Sequence, residues 1–193
     1  MAQSSNEQDN NPKYIDTQLE KNIAVIRKIL GNSADLIIRK SSIGLIDHPF
    51  ALIYIKGLIN EDLINNNILR VLELNKKNIE SILFDNVYDE MIAIAEVNKT
   101  NEINQVIKNI LAGNTAFLSE GEKEAILIGA SGAEFRAIEE PKSESVIRGS
   151  RTGFIENFKI NVSLIRQEIQ DPTLRIDQMV VGSHSNQKIA ICY

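Results

Sequence analysis

The stretch Thr17–Lys56, TQLEKNIAVIRKILGNSADLIIRKSSIGLIDHPFALIYIK, reads as one helix followed by two strands, and that order decides the fold. Thr17 and Glu20 have the spacing of a capping box. Leu19, Ile23, Ile26 and Leu30 share one helical face, and Gly31 ends the helix. Asp35–Lys40 predicts a short strand and Ser41–Pro49 a connection. Ala51–Lys56 predicts a second strand, apolar enough to lie centrally in a sheet.

The order recurs twice downstream. Asn101 caps a helix running to Ala112 and closed by Gly113, followed by a hairpin of Thr115–Ser119 and Glu124–Ala130. A third helix spans Gly153–Gln170, with Phe154, Phe158, Val162, Ile165 and Ile169 on one side. Asp171-Pro172 stops it, and strands over Leu174–Val181 and Lys188–Tyr193 follow. Between the first two units, Asn60 caps a helix from Glu61 to about Leu74, Asn78–Asn86 suits a shorter helix, and Glu90–Val97 reads as a strand. Glu134–Ile138 suits an edge strand.

The expected fold class is therefore α/β (α+β), built of helix–strand–strand units. Residues 17–138 make one complete α/β subdomain, 139–152 a linker, and 153–193 the start of a second subdomain. The polar, aperiodic residues 1–16 read as a disordered lead-in.

Composition narrows the function. The 193 residues are 43% hydrophobic, enough for an ordinary core, and the formal charge is −5 with basic residues scattered, which argues against a nucleic-acid surface. No apolar run approaches the ~20 residues that span a bilayer, and the amino terminus lacks the basic start and apolar run of an export signal. One cysteine, Cys192, permits neither an internal disulfide nor a thiolate cluster. His48 and His184 are isolated and read as exposed loop residues, so no metal is expected. Gly129 and Gly132 lack the spacing of a phosphate loop, and no catalytic set or cofactor motif is present. The chain reads as a non-enzyme.

The residues that look chosen for recognition lie in Glu139–Asn161, EEPKSESVIRGSRTGFIENFKIN. Arg148, Gly149, Arg151 and Gly153 stand ahead of the third helix, whose unpaired N–H groups suit an anion; two guanidinium forks beside them suit a carboxylate or a partner subunit. The alternative is that both arginines pair with Glu139, Glu140 or Glu144 and fix the linker to the first subdomain. Asn161 lies within the apolar stripe and needs partners, which an adjoining strand or the linker would supply. Glu156 suits the first turn of the helix. Arg166 leaves it near the end, where a cation is favoured and solvation alone would explain it.

The run Ile138-Glu139-Glu140-Pro141, then Glu144, Val146-Ile147-Arg148-Gly149, Arg151, Gly153-Phe154, Glu156, Asn161 and Leu164-Ile165-Arg166 resembles the signature of the A subunits of GerA-type spore germinant receptors. Ser150 and Thr152 stand where that family favours proline and glutamate. The resemblance implies a non-enzymatic sensor or signal-transduction module that triggers germination. It implies B and C subunits as partners in the spore inner membrane, this region on the cytoplasmic, core-facing side, and membrane-spanning segments beyond Tyr193. Two other readings stay open: a domain that itself captures a small-molecule germinant in the cleft between subdomains, and an oligomerisation scaffold, for example as a homo-oligomer of the A subunit.

Overall fold

The computed structural model describes residues 12–43, 48–65, 84–92, 95–130, 132 and 154–193. In chain order the elements are α1 (Leu19–Leu30), β1 (Leu36–Ile43), β2 (His48–Ile55), α2 (Glu61–Leu63), α3 (Phe84–Ile92), β3 (Val97–Thr100), α4 (Ile103–Leu111), β4 (Thr115–Ser119), β5 (Ala125–Ile128), α5 (Phe158–Glu168), β6 (Ile176–Val181) and β7 (Gln187–Cys192). The first five strands form an antiparallel sheet in the order β1-β2-β4-β5-β3, and β6 with β7 forms a separate hairpin.

Alternation along the strands feeds two cores. Ala51, Ile53 and Ile55 of β2, with Ala116, Leu118, Ala125 and Leu127, face α1 and α4. Their neighbours Phe50, Leu52, Tyr54, Phe117, Ile126 and Ile128 face Ile59, Ile64 and α3 on the other side. A sheet covered on both faces needs apolar residues at successive positions, which is why β2 reads as a continuous apolar run. The helix–strand–strand order and the mixed α/β class are as the sequence predicts.

Several boundaries differ, each for a local reason. The amino end of α1 is not closed by a Thr17–Glu20 box. Asp16 Oδ1 accepts from the Gln18 N–H, and Glu120, from the β4–β5 turn, accepts from the Leu19 N–H. The lead-in is also shorter than expected: Ile15 is buried, its N–H donates to Asn101 O, and Lys13 O accepts from Ile103. The hairpin connection is tighter than Ser41–Pro49, since Ser42 pairs with Pro49 and Ile43 with His48. His48 is therefore a half-buried strand residue with Nε2 3.0 Å from Ser119 Oγ, not an exposed loop residue.

The expected helix at 78–86 and strand at 90–97 are replaced by a helix over Phe84–Ile92 and a strand over Val97–Thr100. Phe84, Val87 and Met91 recur at helical spacing and are all buried against the sheet. The strand falls on the polar residues because β3 is an edge, where polar and charged side chains are tolerated. Lys99 there stacks over Tyr88 and Phe84 and pairs with Asp85. The cap of α4 is Glu102, not Asn101, whose carbonyl is taken by Ile15. Gly113 closes α4 as expected, its N–H donating to Ile110 O and that of Asn114 to Asn109 O. The expected continuation of α2 to about Leu74, the expected strand at 134–138 and the expected linker at 139–152 fall on or extend into residues outside those described.

Candidate functional site

The site lies where α5 and the start of β6 meet the end of α1, the start of β1 and the Gly57–Asp62 segment. Its residues come from segments far apart in the chain, joined by a seam and a cleft.

The seam is polar and buried. Arg166 is 1% exposed and Asp35 3% exposed. Arg166 Nε donates to Asp35 Oδ2 at 2.9 Å and Nη2 to Asp35 Oδ1 at 3.2 Å, a side-on, two-point ion pair. Nη2 also donates to Ser33 Oγ at 3.1 Å, and both Nη atoms reach Leu174 O. Ser33 Oγ donates to Asp35 and accepts from the Ile176 N–H at 3.0 Å, so its single proton is used on the carboxylate. Ala34 N–H donates to Ile176 O, and Arg175 Nη2 donates to Ile29 O, fixing β6 to the end of α1. The Arg175 side chain runs through the space a Cβ on Gly31 would occupy, 2.2 Å away at φ +69°, so glycine is required there. Arg166 is thus fully desolvated and partnered, not solvated at the helix end.

One turn before Arg166, Ser163 packs on Gly57. An ideal Cβ on Gly57 would lie 2.0 Å from Ser163 Oγ, and φ there is +89°. Beyond that contact a cleft of about 350 Å³ opens. It is walled by Asn60, Glu61 and Asp62 on one side and by Asn157, Lys159 and Ser163 on the other. Two helix starts face it. Asn60 Oδ1 accepts from the N–H groups of Asp62 and Leu63, and Asn157 Oδ1 accepts from that of Lys159. The walls carry opposite charge, two carboxylates against one ammonium. That arrangement suits a small molecule bearing both signs.

Asn161 ties the approach to α5: its Oδ1 accepts from the Ile155 N–H at 2.8 Å and its Nδ2 donates to Ile155 O at 2.6 Å. Asn22 brackets Asp16 in the same way at 2.8 and 2.6 Å, also six residues back. The first and third units therefore share a helix entrance, with Arg27 of α1 at the position of Arg166.

The structure moves the start of this helix. It begins at Phe158 with Asn157 as cap, not at Gly153, so Glu156 is exposed and precedes the first turn, and Phe154 is exposed rather than on the buried stripe. The buried face is Val162, Ser163, Leu164 and Arg166, while Ile169 is exposed. Glu140, Glu144, Arg148, Gly149, Arg151 and Gly153 lie outside the described residues. Sequence reading missed Ser33, Asp35, Gly57 and Lys159 as site residues. A strand-leading aspartate and a turn glycine are common, and nothing local marks them.

This arrangement, an antiparallel sheet covered by helices on both faces with α5 and the β6–β7 hairpin clamped to it, defines a mixed α/β domain that is not a barrel. It has the fold of the N-terminal domain of the A subunit of the Bacillus megaterium spore germinant receptor GerK3, with a TM-score of 0.73 at 18% identity. The match covers 95% of this chain and 67% of that one. Residues 24–193 match the model of the Bacillus/Clostridium GerA spore germination protein family, and the chain belongs to that family. Spore germination protein KA of Bacillus subtilis (strain 168) is 32% identical over 183 residues, 94% of this chain and 34% of the relative. Spore germination protein GerLA of Bacillus cereus is 32% identical over 168 residues, 87% of this chain and 34% of the relative. The chain thus spans about a third of the length of these curated relatives. Among the described residues, no helix is long and apolar enough to cross a membrane.

Proposed function

We propose that this chain is a non-enzymatic signal-transduction module of a nutrient germinant receptor A subunit, working with B and C subunits in the spore inner membrane and lying on its core-facing side. The observation that carries this reading is the family match over residues 24–193. The clamp between the two units supports it, because it couples them mechanically. In this reading residues 139–152 link two α/β subdomains, and Arg148 and Arg151 exchange acidic partners for a ligand or neighbouring subunit as the receptor switches. Spores whose receptor carries Arg148→Ala with Arg151→Ala are expected to germinate poorly while the isolated chain stays folded. Normal germination of those spores removes the proposal.

The opposed charges of the cleft favour a second reading, in which this domain itself captures the germinant. An amino acid would set its ammonium group against Glu61 and Asp62, and its carboxylate against Lys159 and the start of α5. Titration of amino-acid, sugar and nucleoside germinants against the chain, followed by amide chemical shifts, tests it. Shifts confined to residues 57–62 and 157–163, and lost in Lys159→Ala, support capture; no shift at millimolar ligand removes it.

The hairpin β6–β7 favours treating 153–193 as the opening of a second subdomain. Its register sets Leu36 equivalent to Ile176 and Ile55 to Cys192. The face of β1–β2 carrying Ile37, Leu52 and Tyr54 packs on the α3 core, whereas the equivalent face here exposes Met179, Val181 and Ile191.

A further inference from the structure

We infer that Arg166 and Ser163 form a fixed pivot for α5, and that the amino end of this helix sets the width of the cleft. The inference rests on the reading of the cleft as a working surface and adds the residues that control it. Two contacts one turn apart join α5 to residues 33–57. At one, the Ser163 hydroxyl fills the space beside Gly57, 2.0 Å from where a Cβ would stand. At the other, the two-point bond of Arg166 to Asp35 is backed by Ser33 and by the carbonyl of Leu174. Upstream the polar attachment thins, although Val162 is buried and Phe158 is half-buried. Asn157 and Lys159 are exposed and Ile160 half-exposed. Among the described residues, no hydrogen bond runs from 157–160 to the first subdomain; Asn157 spends its side chain on its own helix.

The lever arm follows from helix geometry. At 1.5 Å per residue, Asn157 stands ~13 Å along the axis from Arg166, so a 10° tilt about the pivot moves the cleft wall by ~2 Å. That is enough to admit or exclude a small polar molecule. The attached end resists displacement because separating Arg166 from Asp35 strands two buried charges, while tilting at the amino end breaks, among the described residues, no hydrogen bond to residues 12–130. Arg166 and Asp35 are thus positioning residues that act on the cleft through Lys159 and Asn157.

Double electron–electron resonance tests this, with spin labels on Asp62→Cys and Lys159→Cys in a Cys192→Ser background. A second label pair within the first subdomain, Glu20→Cys with Lys108→Cys, serves as the control. Asp35→Asn keeps the side-chain shape and removes the charge. It is expected to broaden the 62–159 distance distribution or shift its mean by about 2 Å, leaving 20–108 unchanged. Arg166→Lys keeps the charge but loses the two-point geometry. It is expected to give a smaller change in the same direction, and it serves where Asp35→Asn does not fold. An unchanged 62–159 distribution in folded variants overturns the pivot, as does equal broadening of both label pairs. Absence of germinant shifts in the titration above would instead count against capture and leave these distances untouched.

Discussion

Arg166 and Asp35, 131 residues apart in sequence, form a two-point ion pair from which water is almost wholly excluded, with Nε–Oδ2 at 2.9 Å and side chains 2% and 3% exposed. Such a pair adds little net stability but is costly to halve. Arg166→Ala leaves a buried, unpaired carboxylate and is expected to destabilise the chain by about 3–5 kcal/mol. Replacing both members, with Asp35→Leu and Arg166→Met, is expected to cost clearly less. Urea unfolding of the two variants checks the order; equal losses would show that the pair itself is the stabilising element.

Gly57→Ala meets two penalties. Its φ of +89° disfavours any side chain, and the new methyl would overlap Ser163 Oγ. The backbone part alone is worth about 1–2 kcal/mol. Adding Ser163→Ala relieves the overlap but not the backbone, so the double variant is expected to recover only part of the loss in thermal unfolding.

The paired brackets at the helix entrances predict a local effect. Asn22→Ala leaves the Asp16 N–H and carbonyl without their side-chain partner, and Asn161→Ala does the same at Ile155. Each is expected to cost about 1–3 kcal/mol, with Asn22 at the higher end because it is the more buried. Hydrogen exchange should accelerate first at Asp16 in one variant and at Ile155 in the other.

Stability should fall at both pH extremes. Hydrogen bonds from Thr173 hold the Asp171 carboxyl below its ordinary value of 3.8, and the Gln18 N–H does the same for Asp16. A lowered folded value means stability that is present above pH 3.8 and lost as pH drops through the folded values. At the other extreme, burial pushes the Tyr54 hydroxyl above 10.0. The unfolded chain then releases this proton first, so stability is present below pH 10 and falls above it. Tyr54→Phe should flatten the alkaline limb, and Asp171→Asn the acid limb, in chemical unfolding followed against pH.

Much of the architecture could be read from periodicity. The helical stripe of α1, the apolar run of β2 and the turn at Gly113 are local patterns, and each survives in the structure. Elements went astray where tertiary packing outweighed pattern: Met91 joined a helix because the sheet offered its side chain a seat, and Lys99 entered a strand because an edge accepts charge. The site was less legible. Asn161 announced itself as a polar residue in an apolar stripe, but its partner depended on where the helix begins. Asp35 carried no signal, since its partner is a helix that the sequence places in another unit.

The separation between those partners also orders events on the ribosome. After Asp35 is added, 131 further residues must be made before Arg166 exists, about 7–26 s at ~5–20 residues per second. Through that interval Asp35 lacks the guanidinium that pairs with it in the finished fold. Burial of this carboxylate as an ion pair therefore waits until α5 has been translated and seated.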